Sequence, residues 1–202
     1  IALLHDIGRF EQLKRYDSFE PGTMDHAAYG VKVLFDEGMI RRFLPDDKWD
    51  SIIYTAIAHH SDYELPEISD PQTLLHAKLI RDEDKLDNCR VKLVDSTSTF
   101  INVSEEELGT QNITQKVYET VFENKCILSA DRVTQMDYWV SYIVYFFDIN
   151  FKESFDIIAE NDYLNRIIDR IPYSNPVTKE QMENIRVYMQ NFINSHTNSQ
   201  SF

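Results

Sequence analysis

The sequence predicts an all-α chain, and three observations carry that prediction. Apolar residues return at helical spacing in most segments long enough to show a period. Only five glycines occur in 202 residues, too few for the many tight turns of an all-β chain. A hydrophobic fraction of 43%, with 11 Tyr and 12 Phe, supplies a sizeable core for one domain, or one domain with an appended subdomain.

The elements follow in order. Ile1 is already apolar and helical in pattern, with neither an initiator Met nor a capping residue before it. An N-terminal helix is therefore expected to be missing from the chain. Gly8 sits early for a helix interior, and Glu11 to Tyr16 is expected to drift into a loop. Ser18 to Thr23, with Pro21 and Gly22, is a connector. Thr23 or Asp25 caps a helix that turns Ala27, Ala28, Val31, Leu34 and Phe35 inward and ends at Gly38.

Pro45-Asp46-Asp47 opens the next helix, whose inner stripe is Trp49, Ile52, Ile53, Ala56 and Ile57. His60 falls one step beyond that stripe, His59 beside it, and the helix stops at Ser61-Asp62. Tyr63 to Pro71 is loop. Thr73 to about Val94 reads as a long helix, with Leu75, Leu79 and Leu86 on one side and Ile80, Asp84 and Val91 on another. The polar Ser96 to Thr99 region weakens it. Four amphipathic segments follow, near 113–125, 134–150, 153–171 and 178–195, and the tail Ser195 to Phe202 is expected to be disordered.

Charge and cysteine usage narrow the function. A net charge of −14 argues against nucleic acid as a partner, because a phosphate backbone must be met by excess Lys and Arg. Cys89 and Cys126 form no CxxC motif and no disulfide framework, which fits a reducing cytoplasm. No apolar run reaches the length of a membrane span and no signal-peptide pattern occurs. The expectation is a soluble, cytoplasmic protein of unknown oligomeric state, with no membrane partner.

Four clusters carry chemistry: His5-Asp6, Asp25-His26, His59-His60-Ser61-Asp62, and Arg81 to Asn88. A carboxylate at the edge of a buried face is costly without a positive partner, and a metal ion is an effective one. Each cluster also has a bland explanation. His26 could be an exposed residue at a helix start, and His59-His60 could face the dipole of a helix C-terminus. Asp82, Asp84 and Asp87 could line a solvated face paired with Lys78, Arg81 and Lys85. His76, without an acidic neighbour, reads as structural. Together the bland readings need four separate coincidences of imidazole and carboxylate on apolar-flanked helices.

H-D-I-G at 5–8, a lone His26, the pair His59-His60 and D-x-D-K-L-D-N at 82–88 resemble the HD-domain metal-dependent phosphohydrolase superfamily. The resemblance covers residues 1 to about 95. It implies an HD-type helical bundle over 1–95, with 96–202 as a C-terminal helical extension packed on it. It also implies two divalent transition metals. One would take His5, Asp6, Asp84 and an upstream His with no counterpart here; the other would take Asp6, His26, His59 and His60. Imidazole with carboxylate suits Fe or Mn first, with Zn, Co or Ni as alternatives. Asp82 would stand behind the ligands or on the helix surface.

The implied activity is hydrolysis of a phosphoester or phosphoanhydride of a small metabolite, a nucleotide, by metal-activated water. Asp6 and Arg9 would be catalytic, and Arg9, which stands where many relatives carry Lys, could clamp a phosphate. Lys85 and Asn88 could also reach substrate, since D-K-L-x-N resembles the alarmone-hydrolase branch. That branch has an acidic pair where this chain has Arg9 and Phe10, so alarmone hydrolysis is not expected. The G-Y-P extension of the cyclic-dinucleotide branch is missing after His60. Two alternatives stay open: an HD-fold di-iron oxygenase, and a non-catalytic nucleotide-binding regulatory module.

Overall fold

The structure, a computed structural model, describes residues 1–19 and 23–197. Pro21 and Gly22 of the expected connector, and residues 198–202 of the expected tail, lie outside that range. Every regular element among the described residues is helical, with no strand. The chain divides into two compact units, residues 1–84 and 85–202.

The first unit opens on turns rather than on the expected helix. Leu4 N donates to Ile1 O at 2.8 Å, Ile7 N to Leu4 O at 3.1 Å and Arg9 N to Asp6 O at 2.9 Å, which is tighter winding than an α-helix. α1 then runs Arg9–Tyr16, where a loop was expected. Glu11 and Arg15 brace it through a 2.7 Å pair. Its one buried side chain is Gln12, so apolar periodicity could not reveal it.

α2, His26–Val31, is capped as expected, with Asp25 Oδ1 accepting from Ala28 N at 2.9 Å. It continues as a wider turn, Lys32–Asp36, and ends before Gly38, whose φ of +74° suits glycine. Gly8 has a different task. A Cβ there would lie 2.0 Å from His26 O and 2.9 Å from Gly30 N. Glycine at this point lets the α1 lead-in touch the α2 backbone.

α3, Asp50–Ala58, starts later than Pro45 to Asp47 suggests, after turns that leave Trp49 38% exposed. Ile53, Ala56 and Ile57 face inward as expected, packing with Leu4, Val31, Leu34 and Ile40. α4, Pro71–Val94, is the longest helix. Thr73 N and Oγ1 donate to Asp70 Oδ2 at 2.7 and 2.6 Å and cap it. Its sides differ in burial: Leu75 and Leu79 are exposed, whereas Thr73, Ala77, Ile80, Arg81, Asp82, Lys85, Cys89 and Lys92 are buried. Asp82 is thus no surface acid. Leu79, Trp49 and Ile52 instead line an open, largely apolar pocket of about 440 Å³ with His76 and Glu83.

The second unit begins within α4 at Lys85. It holds α5 Thr97–Ile101, α6 Glu105–Leu108, α7 Gln115–Val121, α8 Gln135–Ile143, α9 Lys152–Glu160, α10 Tyr163–Asp169 and α11 Pro176–Thr197. The expected segment 153–171 is two helices, broken where Asp162 takes φ 51°. Ser195 to Thr197 belong to α11 rather than to a disordered tail. The core gathers around Trp139, Phe146, Phe155, Ile167 and Ile185. Asp137 fastens its loops by accepting from the backbone N–H groups of Thr114, Val133 and Thr134 at 2.8, 2.9 and 3.0 Å. Arg170 caps α4 by donating to the carbonyls of Lys92 and Asp95 while pairing with Glu105 at 2.7 Å.

Candidate metal centre

Four elements bring side chains to one point in the first unit. The turn before α1 supplies His5 and Asp6, the start of α2 His26, the residues after α3 His60, and α4 Asp84. Asp6 lies at the middle. Its Oδ1 stands 3.3 Å from His26 Nε2 and 3.5 Å from His60 Nε2. Its Oδ2 is 3.7 Å from His5 Nε2, which in turn is 3.8 Å from Asp84 Oδ1. The candidate ligand atoms of His5, Asp6 and His60 all lie within 4.8 Å of one another.

The imidazoles are aimed by backbone. His5 Nδ1 donates to Ala2 O at 2.8 Å and His60 Nδ1 to Ile57 O at 2.7 Å. Those bonds leave both Nε2 lone pairs directed at the cluster, the arrangement that hydrogen-bonded backbone carbonyls give to metal-binding histidines. His26 Nε2 and His60 Nε2 are 3.0 Å apart. Two nitrogens at ~2.0–2.1 Å from one ion, roughly a right angle apart, are separated by about that distance.

Asp6 Oδ1 is shielded from solvent and accepts no hydrogen bond from the described residues; the His26 and His60 imidazoles stand 3.3 and 3.5 Å from it. An ionised carboxylate oxygen in that condition is costly unless a cation meets it. Burial raises the Asp6 carboxyl, but the imidazoles of His26 and His60, then Arg9 and His5, outweigh it and hold it well below the usual carboxylate range. Burial lowers the His5 imidazole, yet Asp84, the Ala2 carbonyl and Asp6 together raise it. For His26 burial wins over Asp6, and its imidazole is pushed down. The donor set, imidazole with carboxylate around an orphaned buried oxygen, fits a divalent transition metal.

Not every expected residue joins the cluster. His59 Nδ1 pairs with Asp62 Oδ2 at 2.6 Å. Lys85 Nζ pairs with Asp148 Oδ2 at 2.6 Å within the second unit. Asn88 is half-buried one turn further along α4. Arg9 does approach, with Nε 3.5 Å from Asp6 Oδ1.

Two residues escaped sequence reasoning. Arg81, 1% exposed, donates to the carbonyls of His59, His60 and Tyr63 at 2.9, 3.3 and 3.4 Å. It binds the carbonyls left over at the end of α3, which fixes the turn that carries His60. Gln12, 0% exposed, accepts from Arg9 Nη1 at 3.0 Å and donates to Thr23 Oγ1 at 2.8 Å. The only sequence signal for either was a polar residue on an inward helical face.

Fold and geometry define an all-helical domain with convergent imidazole and carboxylate ligands. Residues 1–89 match the family model of the HD domain, the family that the sequence motifs resemble. No curated protein and no solved structure matches the chain. HD domains bind divalent metals and belong to a superfamily of metal-dependent hydrolases.

Proposed function

We propose that the HD domain of this chain is a phosphohydrolase that uses two divalent ions, Fe or Mn, to cleave a phosphoester or phosphoanhydride of a small metabolite such as a nucleotide. The observation that carries this reading is the division of Asp6. Its Oδ1 faces His26 and His60 while its Oδ2 faces His5, beside Asp84. A carboxylate shared in this way can serve two ions, as in two-metal hydrolases.

His5, Asp6 and Asp84 would hold one ion, and Asp6, His26 and His60 the other. Bound there, the ions supply Lewis acidity toward a phosphoryl oxygen and a water acidified toward neutral pH. The chain does the rest. Asp6 would stay ionised and could serve both ions. The Ala2 and Ile57 carbonyls keep the His5 and His60 protons on Nδ1, so Nε2 remains a ligand atom. Arg9, with its side chain 32% exposed beside Asp6, places a guanidinium where a phosphate oxygen can accept two N–H groups.

The test combines metal analysis with a phosphate-release panel of phosphomonoesters, cyclic nucleotides and dinucleoside polyphosphates in Mn(II) or Fe(II). The parent should carry two ions and release phosphate from at least one class. Asp6→Asn should lose both ions and all turnover, and His26→Ala should lose one ion. A parent that binds a single ion, or a His26→Ala variant that keeps two, overturns the two-ion assignment. Oxygen uptake without phosphate release would replace hydrolysis by oxygenation.

A further inference from the structure

We infer that Gln12 is a positioning residue that holds Arg9 open as an anion clamp and so sets the affinity of the site for phosphate. The inference rests on the hydrolase reading for its biological meaning, but its geometry stands apart from the metal ligands. Gln12 is fully buried on the inner face of α1, where periodicity calls for an apolar residue. Its amide is used at both ends. The oxygen accepts from Arg9 Nη1 at 3.0 Å, and the nitrogen donates to Thr23 Oγ1 at 2.8 Å. Thr23 lies just before Asp25, which caps α2. A buried amide held in this way has one orientation, with its oxygen toward Arg9.

Left to itself, Arg9 would take a different pose. A guanidinium beside a carboxylate prefers the fork-to-fork arrangement in which two parallel N–H groups meet both oxygens. Arg9 instead approaches Asp6 through Nε, 3.5 Å from Oδ1, while Nη1 is engaged by Gln12. Five N–H donors belong to an arginine, and these two contacts leave donors for a ligand. Gln12 thereby does two things. It keeps Arg9 from closing over the carboxylate that the ions need, and it points the rest of the fork outward from a partly exposed side chain. An arginine also carries about 2 kcal/mol of rotamer entropy, and fixing it beforehand lowers the ordering cost when an anion binds.

The experiment measures inorganic phosphate binding to the Mn(II)-loaded full chain by titration calorimetry, with metal content and melting temperature recorded for each variant. Arg9→Ala and Gln12→Ala should each weaken phosphate about tenfold, the order expected for one charge-assisted hydrogen bond. Gln12→Met, which keeps the volume, should match Gln12→Ala. Gln12→Glu, whose carboxylate would draw two N–H groups of Arg9 into a fork and set a negative charge beside the anion, should weaken phosphate at least as much as Gln12→Ala. In an Arg9→Ala background, Gln12→Ala should cost nothing further.

Parent-like phosphate affinity in Gln12→Ala and Gln12→Met would overturn the inference. So would an equal loss in the Arg9→Ala background, or parent-like phosphate affinity in Gln12→Glu. The two readings fail separately. If no substrate yields phosphate while binding follows this pattern, hydrolysis is wrong and the clamp stands. If turnover proceeds and phosphate affinity ignores both residues, the clamp is wrong and hydrolysis stands.

Discussion

His59 and His60 are neighbours with the same side chain, yet the structure gives them different work. His60 is 2% exposed, its ring is fixed by the Ile57 carbonyl, and its Nε2 faces Asp6. His59 turns outward to Asp62. His60→Ala should therefore abolish one ion per chain, whereas His59→Ala should keep the full metal complement in elemental analysis; equal losses would return His59 to the ligand set. The sequence made both residues visible as candidates, because paired imidazoles after an apolar stripe are uncommon. Choosing between them needed the ring orientation, which depends on one backbone carbonyl. Gln12 and Arg81 were hidden for the opposite reason: an isolated amide or guanidinium on a helix is normally solvated, and only burial marks it out.

Helices that bury polar groups are the least legible. α1 reads as loop because its inward residue is Gln12, and apolar spacing does not say which side of α4 faces inward, since the buried face holds Arg81, Asp82, Lys85 and Lys92. Apolar periodicity predicts which face is buried only when burial is driven by apolar area. α2 and α3 obey that condition and were legible, as were the Asp25 cap and Gly38. The junction of α1 with α2 is where the fold is least forgiving. Gly8→Ala would press a Cβ to 2.0 Å from His26 O, and that atom is backbone on the helix that carries a ligand. The variant should lose at least ~2 kcal/mol by denaturant unfolding, within the range for overpacking a tight site. It should also bind metal more weakly than a Gly38→Ala control, whose Cβ meets nothing within 4 Å and whose cost is the left-handed φ of +74°, away from the cluster residues. Parent-like stability and metal content at position 8 would show that the helices can part without harm.

On the scale of the whole chain, metal binding and folding should be linked. The candidate ligands come from four elements separated by up to 79 positions, Asp84 against His5, and an unfolded chain cannot gather them. Free ion at a hundredfold its dissociation constant should add about 2.7 kcal/mol, which raises Tm by several degrees at ~2–4 °C per kcal/mol for a chain of this size. Thermal melts with Mn(II) and with EDTA would measure the shift, and coincident curves would deny any native-state preference for metal. The place where the chain divides has a practical corollary for anyone who wishes to excise the HD domain. Asp84 and Lys85 are adjacent on α4, one at the cluster and the other bound to Asp148. A fragment cut at that division would leave Asp84 as its terminal residue, without the following turn that keeps a helix from fraying. A fragment extended to Val94 would restore that turn, yet would strip Lys85, Cys89 and Lys92 of the partners that bury them. Scissors that respect the contacts would cut through a ligand, and scissors that spare the ligand would expose buried charge.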